Sequence, residues 1–284
     1  MTTLAASYHE CQRVARRAAS NFYWSFWLLP REKRRAMAAL YAFSRHTDDL
    51  GDGERPLEER DRSLAEWRRA LESALSGSSD HALLPAVADA VRRFDIPAQH
   101  LFEIIDGVAM DLRHAGFATF DDLRHYCYHV ASAVGLACVH IWGFTNDAIR
   151  APAIECGIAF QLTNILRDLK EDAESGRVYL PREDFERFGC TAADLTRGNL
   201  TDGERSEPLA RLIEFEISRA EQLYAAATPT RDFLHADGRG SFDLMFRTYQ
   251  ALLLKIKRRP ADIFHRRVRL SLPKKFALAA GCFG

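Results

Sequence analysis

The chain has 284 residues, 47% of them hydrophobic and 27% charged, and its 39 lysines and arginines balance 39 aspartates and glutamates. That balance excludes the uniformly basic footprint of a nucleic-acid-binding protein and the excess charge of a disordered acidic tail. The apolar share suffices for one large core that also lines a cavity.

At the N-terminus, MTTLAASYHECQRVARR lacks the apolar run of a signal peptide. Helices are expected over 4–20, 31–52, 57–76, 81–94, 97–115, 120–144, 147–173, 204–227 and 238–258, where Ala, Leu, Arg and Glu dominate. Pro30, Pro56, Pro97, Pro152 and Pro208 stand at or near the starts, where a fixed φ and a missing N–H do little harm. In the second helix Met37, Leu40, Tyr41 and Ser44 recur at helical spacing. Stretches 129–144 and 153–166 are apolar nearly all round, which places them inside a bundle. The small residues Ala131, Ser132, Ala133, Gly135 and Ala137 leave room there for a cavity wall. The longest near-apolar run, Val130–Phe144, falls short of the roughly 18–20 residues that span a bilayer. Residues 174–203 read as a loop with one short helix. Six cysteines (Cys11, Cys127, Cys138, Cys156, Cys190, Cys282) without CxxC spacing read as reduced thiols of a soluble, cytoplasmic protein. With no strand alternation, repeat or linker, we expect a single all-α domain over 1–284.

Two carboxylate pairs stand out. In the 31–52 helix Asp48 and Asp52 are i and i+4, about 6 Å apart on one face. They repel each other, and they sit near a helix end whose dipole disfavours anions. Asp168 and Asp172 repeat the spacing, and with Gln161 and Asn164 they form a polar stripe on an otherwise apolar helix. Two such helices facing each other make a basin of hard oxygen ligands of the kind Mg²⁺ prefers, usually completed by substrate phosphates.

Five ordered motifs connect these pairs: Phe22 through Leu28-Leu29-Pro30; Tyr41-Ala42-Phe43-Ser44-Arg45-His46-Thr47-Asp48-Asp49; Tyr126-Cys127-Tyr128-His129-Val130-Ala131; Gln161 to Asp172; and Gly176-Arg177-Val178-Tyr179-Leu180-Pro181. From about residue 8 to 276 the chain resembles the squalene/phytoene synthases, the head-to-head trans-prenyltransferases. The resemblance implies an isoprenoid-synthase-type helical bundle around a central apolar cavity, Mg²⁺ as cofactor and prenyl diphosphates as substrates. By the same resemblance Asp48, Asp52, Asp168 and Asp172, with Asn164, would hold Mg²⁺, and Gln161 would support the second cluster. Arg45, Arg167 and Arg267 would contact diphosphate, beside the pocket tyrosines Tyr41 and Tyr249. Tyr126 would assist ionisation or proton handling, and Asp111 matches a recurrent acidic position.

Phytoene and dehydrosqualene synthases usually carry a Ser/Thr-Lys-Ser/Thr-Phe string where this chain reads Ala19-Ser20-Asn21-Phe22, a start that resembles the bacterial hopanoid branch. The expected reaction is therefore condensation of two farnesyl diphosphates to presqualene diphosphate, reaching squalene where NADPH supplies hydride. Phytoene or dehydrosqualene synthesis, hydroxysqualene synthesis, and a non-catalytic prenyl-lipid-binding or assembly factor are the alternatives. No GxGxxG nucleotide motif is present from which NADPH use could be read. The basic stretch Lys255-Ile256-Lys257-Arg258-Arg259, with Arg266, Arg267, Arg269, Lys274 and Lys275, leaves peripheral contact with the inner membrane face open.

Overall fold

The computed structural model describes residues 2–18, 21–53, 55–197 and 207–281. Ala19 and Ser20, the start of the expected 204–227 helix and Cys282 lie outside them. In chain order the helices are α1 (Leu4–Ala18), α2 (Asn21–Ser25), α3 (Arg31–Gly51), α4 (Leu57–Leu75), α5 (Leu84–Arg93), α6 (Ala98–Leu112), α7 (Phe120–Cys127), α8 (Ala133–Trp142), α9 (Arg150–Glu174), α10 (Arg182–Phe188), α11 (Ala193–Arg197), α12 (Glu207–Ala227), α13 (Thr230–Phe233), α14 (Ala236–Arg258) and α15 (Leu272–Ala280). Among the described residues the only β pairing is an isolated bridge between Phe144 and Leu234, so the molecule is all-α as expected.

Local chemistry sets many of the ends. Pro30, Pro56, Pro97 and Pro181 occupy the positions just before α3, α4, α6 and α10, where extended backbone suits proline. Thr119 and Asp122 form a reciprocal capping box at α7, which satisfies two otherwise unpaired N–H groups. Gly189 closes α10 in the left-handed region at φ 70°.

Two long helices organise the bundle. α3 lies against α1, α4, α5, α6 and α8, and α9 against α8, α12 and α14. On α4, Leu64, Trp67 and Leu71 turn one buried stripe inward. Trp67 stacks on Phe43 with ring centres 5.5 Å apart and donates its indole N–H to Thr47 at 2.9 Å. That bond satisfies the one polar atom of a ring that is only 4% exposed.

The structure departs from the expected helices at informative places. The expected 120–144 helix is broken by a π-helical turn at Tyr128–Ser132. There the chain is squeezed from two sides: a Cβ on Gly107 would lie 3.0 Å from the His129 backbone, and one on Gly157 2.5 Å from Ser132 Cα. Ser132 also donates its hydroxyl to the Ile154 carbonyl at 2.8 Å. The expected 31–52 helix ends at Gly51, leaving Asp52 as an extended C-cap whose N–H reaches the Asp48 carbonyl. The described part of the 174–203 segment, up to Arg197, holds two short helices, α10 and α11, in place of one. Helices α2, α13 and α15 and a 3₁₀ turn at Pro260–Phe264 were not marked by periodicity, because each is too short to show it.

Candidate active site

A cavity of about 350 Å³ opens between α3, α8, α9 and α14. The stripe Met37, Leu40, Tyr41 and Ser44 forms its α3 wall and continues through Arg45 to Asp48. Of the small residues expected to leave room, Ala131 and Gly135 line the cavity; Ser132, Ala133 and Ala137 are buried in the packing behind. Gln161 and Asn164 face in from α9, and Tyr249 from α14. The polar groups gather at one end, with Arg45, Asp48, Gln161, Asn164 and Tyr249, while Met37, Trp142 and Phe242 enclose the other. Asp48 and Met37 are eleven residues apart on α3, about 16 Å along the axis at 1.5 Å per residue.

Charge at the polar end is out of balance. Burial pushes the Asp48 carboxyl up to about 7, and Asp52 adds to the shift while Arg45 opposes it. Asp172 is pushed up to about 6 by burial and then by Asp168, with Arg177 opposing. Asp111 contributes repulsion to both. Asp52 faces the same region, for its charge favours the cationic form of Arg177, together with Asp111 and Tyr179 and against the effect of burial.

The second pair is held by arginines. Arg167 forms a forked ion pair with Asp168 and donates to Asn164 Oδ1 at 2.8 Å. Arg267 reaches Asp168 from the C-terminal segment at 3.1 Å, which Lys170 anchors by donating to the Phe264 carbonyl at 3.0 Å. Arg45 pairs with Asp49 at the rim. Buried Tyr249 stacks on Phe160 with ring centres 4.3 Å apart.

Tyr126 is not part of the cavity wall. Its hydroxyl donates to Asp111 Oδ1 at 3.0 Å, and Tyr179 donates to the same oxygen at 2.7 Å. Arg177 approaches Asp111 Oδ2 at 3.3 Å. Burial first, and then the charge of Asp111, hold the Tyr126 phenol well above its ordinary value. Sequence reasoning found Asp111 and the Gly176–Pro181 motif but gave no role to Arg177 or Tyr179, because only the fold brings that loop onto α6.

The donor chemistry fits a hard divalent cation: the Asp48 and Asp172 carboxyls are buried and each is further raised by the aspartate of its own pair. Among the described residues no three histidine, cysteine or acidic side chains form a metal cluster by themselves. A cation here would take part of its shell from a ligand's oxygens, as Mg²⁺ commonly does with phosphates.

Comparison with known proteins agrees with this geometry. A sequence model described as squalene/phytoene synthase matches residues 15–274. A phytoene synthase of Mycobacterium tuberculosis is 38% identical over 280 residues, covering 99% of this chain and 91% of its own. A 15-cis-phytoene synthase of Synechococcus elongatus is 33% identical, covering 94% and 89%. A crystal structure of a dehydrosqualene synthase in complex with ligand superposes with TM-score 0.88 at 27% identity, over 99% of this chain and 96% of its own. Squalene synthase HpnC from Alicyclobacillus acidocaldarius gives TM-score 0.82 at 27% identity, over 90% and 94%.

Proposed function

The chain belongs to the squalene/phytoene synthase family, whose members are divalent-metal-dependent prenyltransferases that condense prenyl units head to head, and on that premise we propose that it condenses two farnesyl diphosphates to presqualene diphosphate, reaching squalene only where NADPH supplies hydride. The observation that carries the reading is the cavity itself, polar at the Asp48–Asn164 end and apolar to Trp142 and Phe242. A diphosphate fits the first end and a prenyl chain the second.

Asp48, Asp52, Asp168 and Asp172, with Asn164, would hold Mg²⁺, which when bound supplies positive charge to a leaving diphosphate. Arg45, Arg167 and Arg267 add fixed positive charge around the same group. Leaving creates an allylic cation, and the apolar walls, Leu40, Val134, Phe160 and Met245 among them, keep water from it. Attack by the double bond of the second substrate then builds the cyclopropyl ring and releases a proton. Asp111, braced by Tyr126, Tyr179 and Arg177, adds a negative charge fixed in place near both acidic pairs.

The fifteen-carbon substrate rests on the Ala19-Ser20-Asn21-Phe22 string and on the likeness to structures named dehydrosqualene synthase and squalene synthase. A second reading, two geranylgeranyl diphosphates to phytoene, is favoured by relatives named phytoene synthase. Purified protein with Mg²⁺ and either substrate, with and without NADPH, separates them by product mass. A thirty-carbon product from farnesyl diphosphate alone supports the first reading, and a forty-carbon product alone replaces it with the second.

A further inference from the structure

On the other side of Phe26 from the reaction cavity lies a second cleft, of about 650 Å³, and Phe26 belongs to the walls of both. Four arginines, Arg16, Arg31, Arg34 and Arg35, line this cleft, and among the described residues no carboxylate does. Acids on the same helices, and on α5 packed against them, serve other cations or hydroxyls: Glu10 pairs with Arg13, Glu32 lies 3.7 Å from Arg93, and Asp89 accepts from the Tyr8 hydroxyl at 2.7 Å. Beside the arginines, Trp24 and Trp27 are 57% and 55% exposed, whereas Trp67 and Trp142 are 4% and 3% exposed. Tyr23 stands edge-on to both exposed rings, at 6.2 and 6.4 Å, and the Arg34 guanidinium lies 4.7 Å from the Trp27 ring centre.

Two large aromatic rings left in water beside a one-signed cationic cleft make a surface with an unpaired demand. Tryptophan rings settle at the head-group level of a bilayer, where the apolar body is buried and the N–H stays wet, and arginines beside them meet anionic head groups. We propose that this face docks the protein on an anionic phospholipid bilayer. The C-terminal basic stretch is less suited to that role. Lys257 is bound to Glu221, Arg266 to Asp262 and Arg267 to Asp168, and Lys255 donates to the Arg269 carbonyl. Docked in this way, the chain presents to the lipid a cleft that shares Phe26 with its reaction cavity. Passage of a hydrocarbon product past Phe26 rests on the head-to-head reading; the docking does not.

The test reads vesicle binding rather than turnover, so its failure is distinguishable from failure of the enzymatic assignment. The full chain is mixed with phosphatidylglycerol–phosphatidylcholine vesicles and with phosphatidylcholine vesicles. Binding is followed by co-sedimentation and by intrinsic fluorescence, whose blue shift reports Trp24 and Trp27 because the other two tryptophans are already buried. Binding and a blue shift with the anionic vesicles, both weakened by salt, are expected. Trp24→Ala/Trp27→Ala lowers affinity by about tenfold or more, and Arg16→Ala/Arg31→Ala by about fivefold per arginine. Lys274→Ala/Lys275→Ala binds like the wild type. Circular dichroism identifies any variant that fails to fold; in that case the wild-type fluorescence shift and its dependence on vesicle charge still decide. Equal binding to both vesicles, no binding to either, or a folded tryptophan variant that binds normally overturns the proposal.

Discussion

At Asp48 a carboxyl pushed up to about 7 by burial and by Asp52 sits where an isolated protein gains nothing from it. Replacing it should therefore separate stability from activity. Asp48→Asn, and likewise Asp172→Asn, should lower turnover by about 10²-fold or more, the scale of losing one transition-state charge partner. Thermal stability should stay level or rise as the repulsion goes; a variant that keeps wild-type turnover removes that carboxylate from the site. Tyr126 calls for a different expectation. Its hydroxyl is committed to Asp111, and a phenol held so far above its usual range is a poor proton donor. Tyr126→Phe should then behave as the loss of a positioning bond, reducing the condensation rate by roughly 10–100-fold, with Tyr179→Phe similar and Asp111→Asn at least as severe. A Tyr126→Phe loss that far exceeds that of Asp111→Asn in steady-state assays would show that Tyr126 acts on the substrate directly.

Among the elements, α3 shows what periodicity can reveal. The stripe from Met37 to Ser44 was visible in the sequence and became a cavity wall, because one helix face needs no knowledge of its partners. The π turn after α7 was not visible, since it answers to Gly107 and Gly157, which lie on other helices. Asp52 left the helix for the same kind of reason: local spacing carries the distance to Asp48 but not the end of α3. The convergence of Asp111, Tyr179 and Arg177 with Tyr126 likewise depends on tertiary contacts. Helix α12 offers a test of electrostatics away from the site. Its Glu216 is fully buried, pairs with Arg219 at 2.7 Å, and has one oxygen without a partner. Burial raises its carboxyl from 4.5 to about 8, Arg219 opposing and Asp184 adding to the shift. The folded state thus holds a proton that the unfolded state releases. This contribution is fully present below pH 4.5 and lost as pH rises towards about 8. Glu216→Gln should flatten the fall in melting temperature between those limits; a wild-type slope in the variant would refute the assignment.

For the molecule as a whole, none of the described helices is long and apolar enough to cross a membrane, and two of its buried, upward-shifted carboxyls, Asp48 and Asp172, belong to the acidic pairs of the candidate site. Ligands that bring countercharge there should stabilise the entire fold by mass action. Mg²⁺ with inorganic pyrophosphate should raise the melting temperature more than either alone, EDTA should abolish both that rise and turnover, and Asp48→Asn should shrink it. Calorimetry that finds no joint effect would mean that the two acidic pairs do not share a metal–diphosphate site.

The contact of Gly157 with Ser132 sets a dimension for the catalyst. A side chain at 157 would collide with backbone, so α9 and the π turn already lie as close as two chains can, and the walls meet there at a fixed gauge. Shifting the helices is therefore a poor way to change which chain lengths fit. Capacity has to be tuned by what protrudes between them, at Ala131 and Gly135 on one wall and Trp142 and Phe242 at the closed end. Gly135 has space: a Cβ there would lie 3.9 Å from the Ala153 carbonyl oxygen. Gly135→Leu should shorten the accepted prenyl chain with little change in melting temperature, and Trp142→Ala should lengthen it. Breeding or design for longer terpenes would then work as on a caliper locked at one jaw, by changing what is held and not the opening.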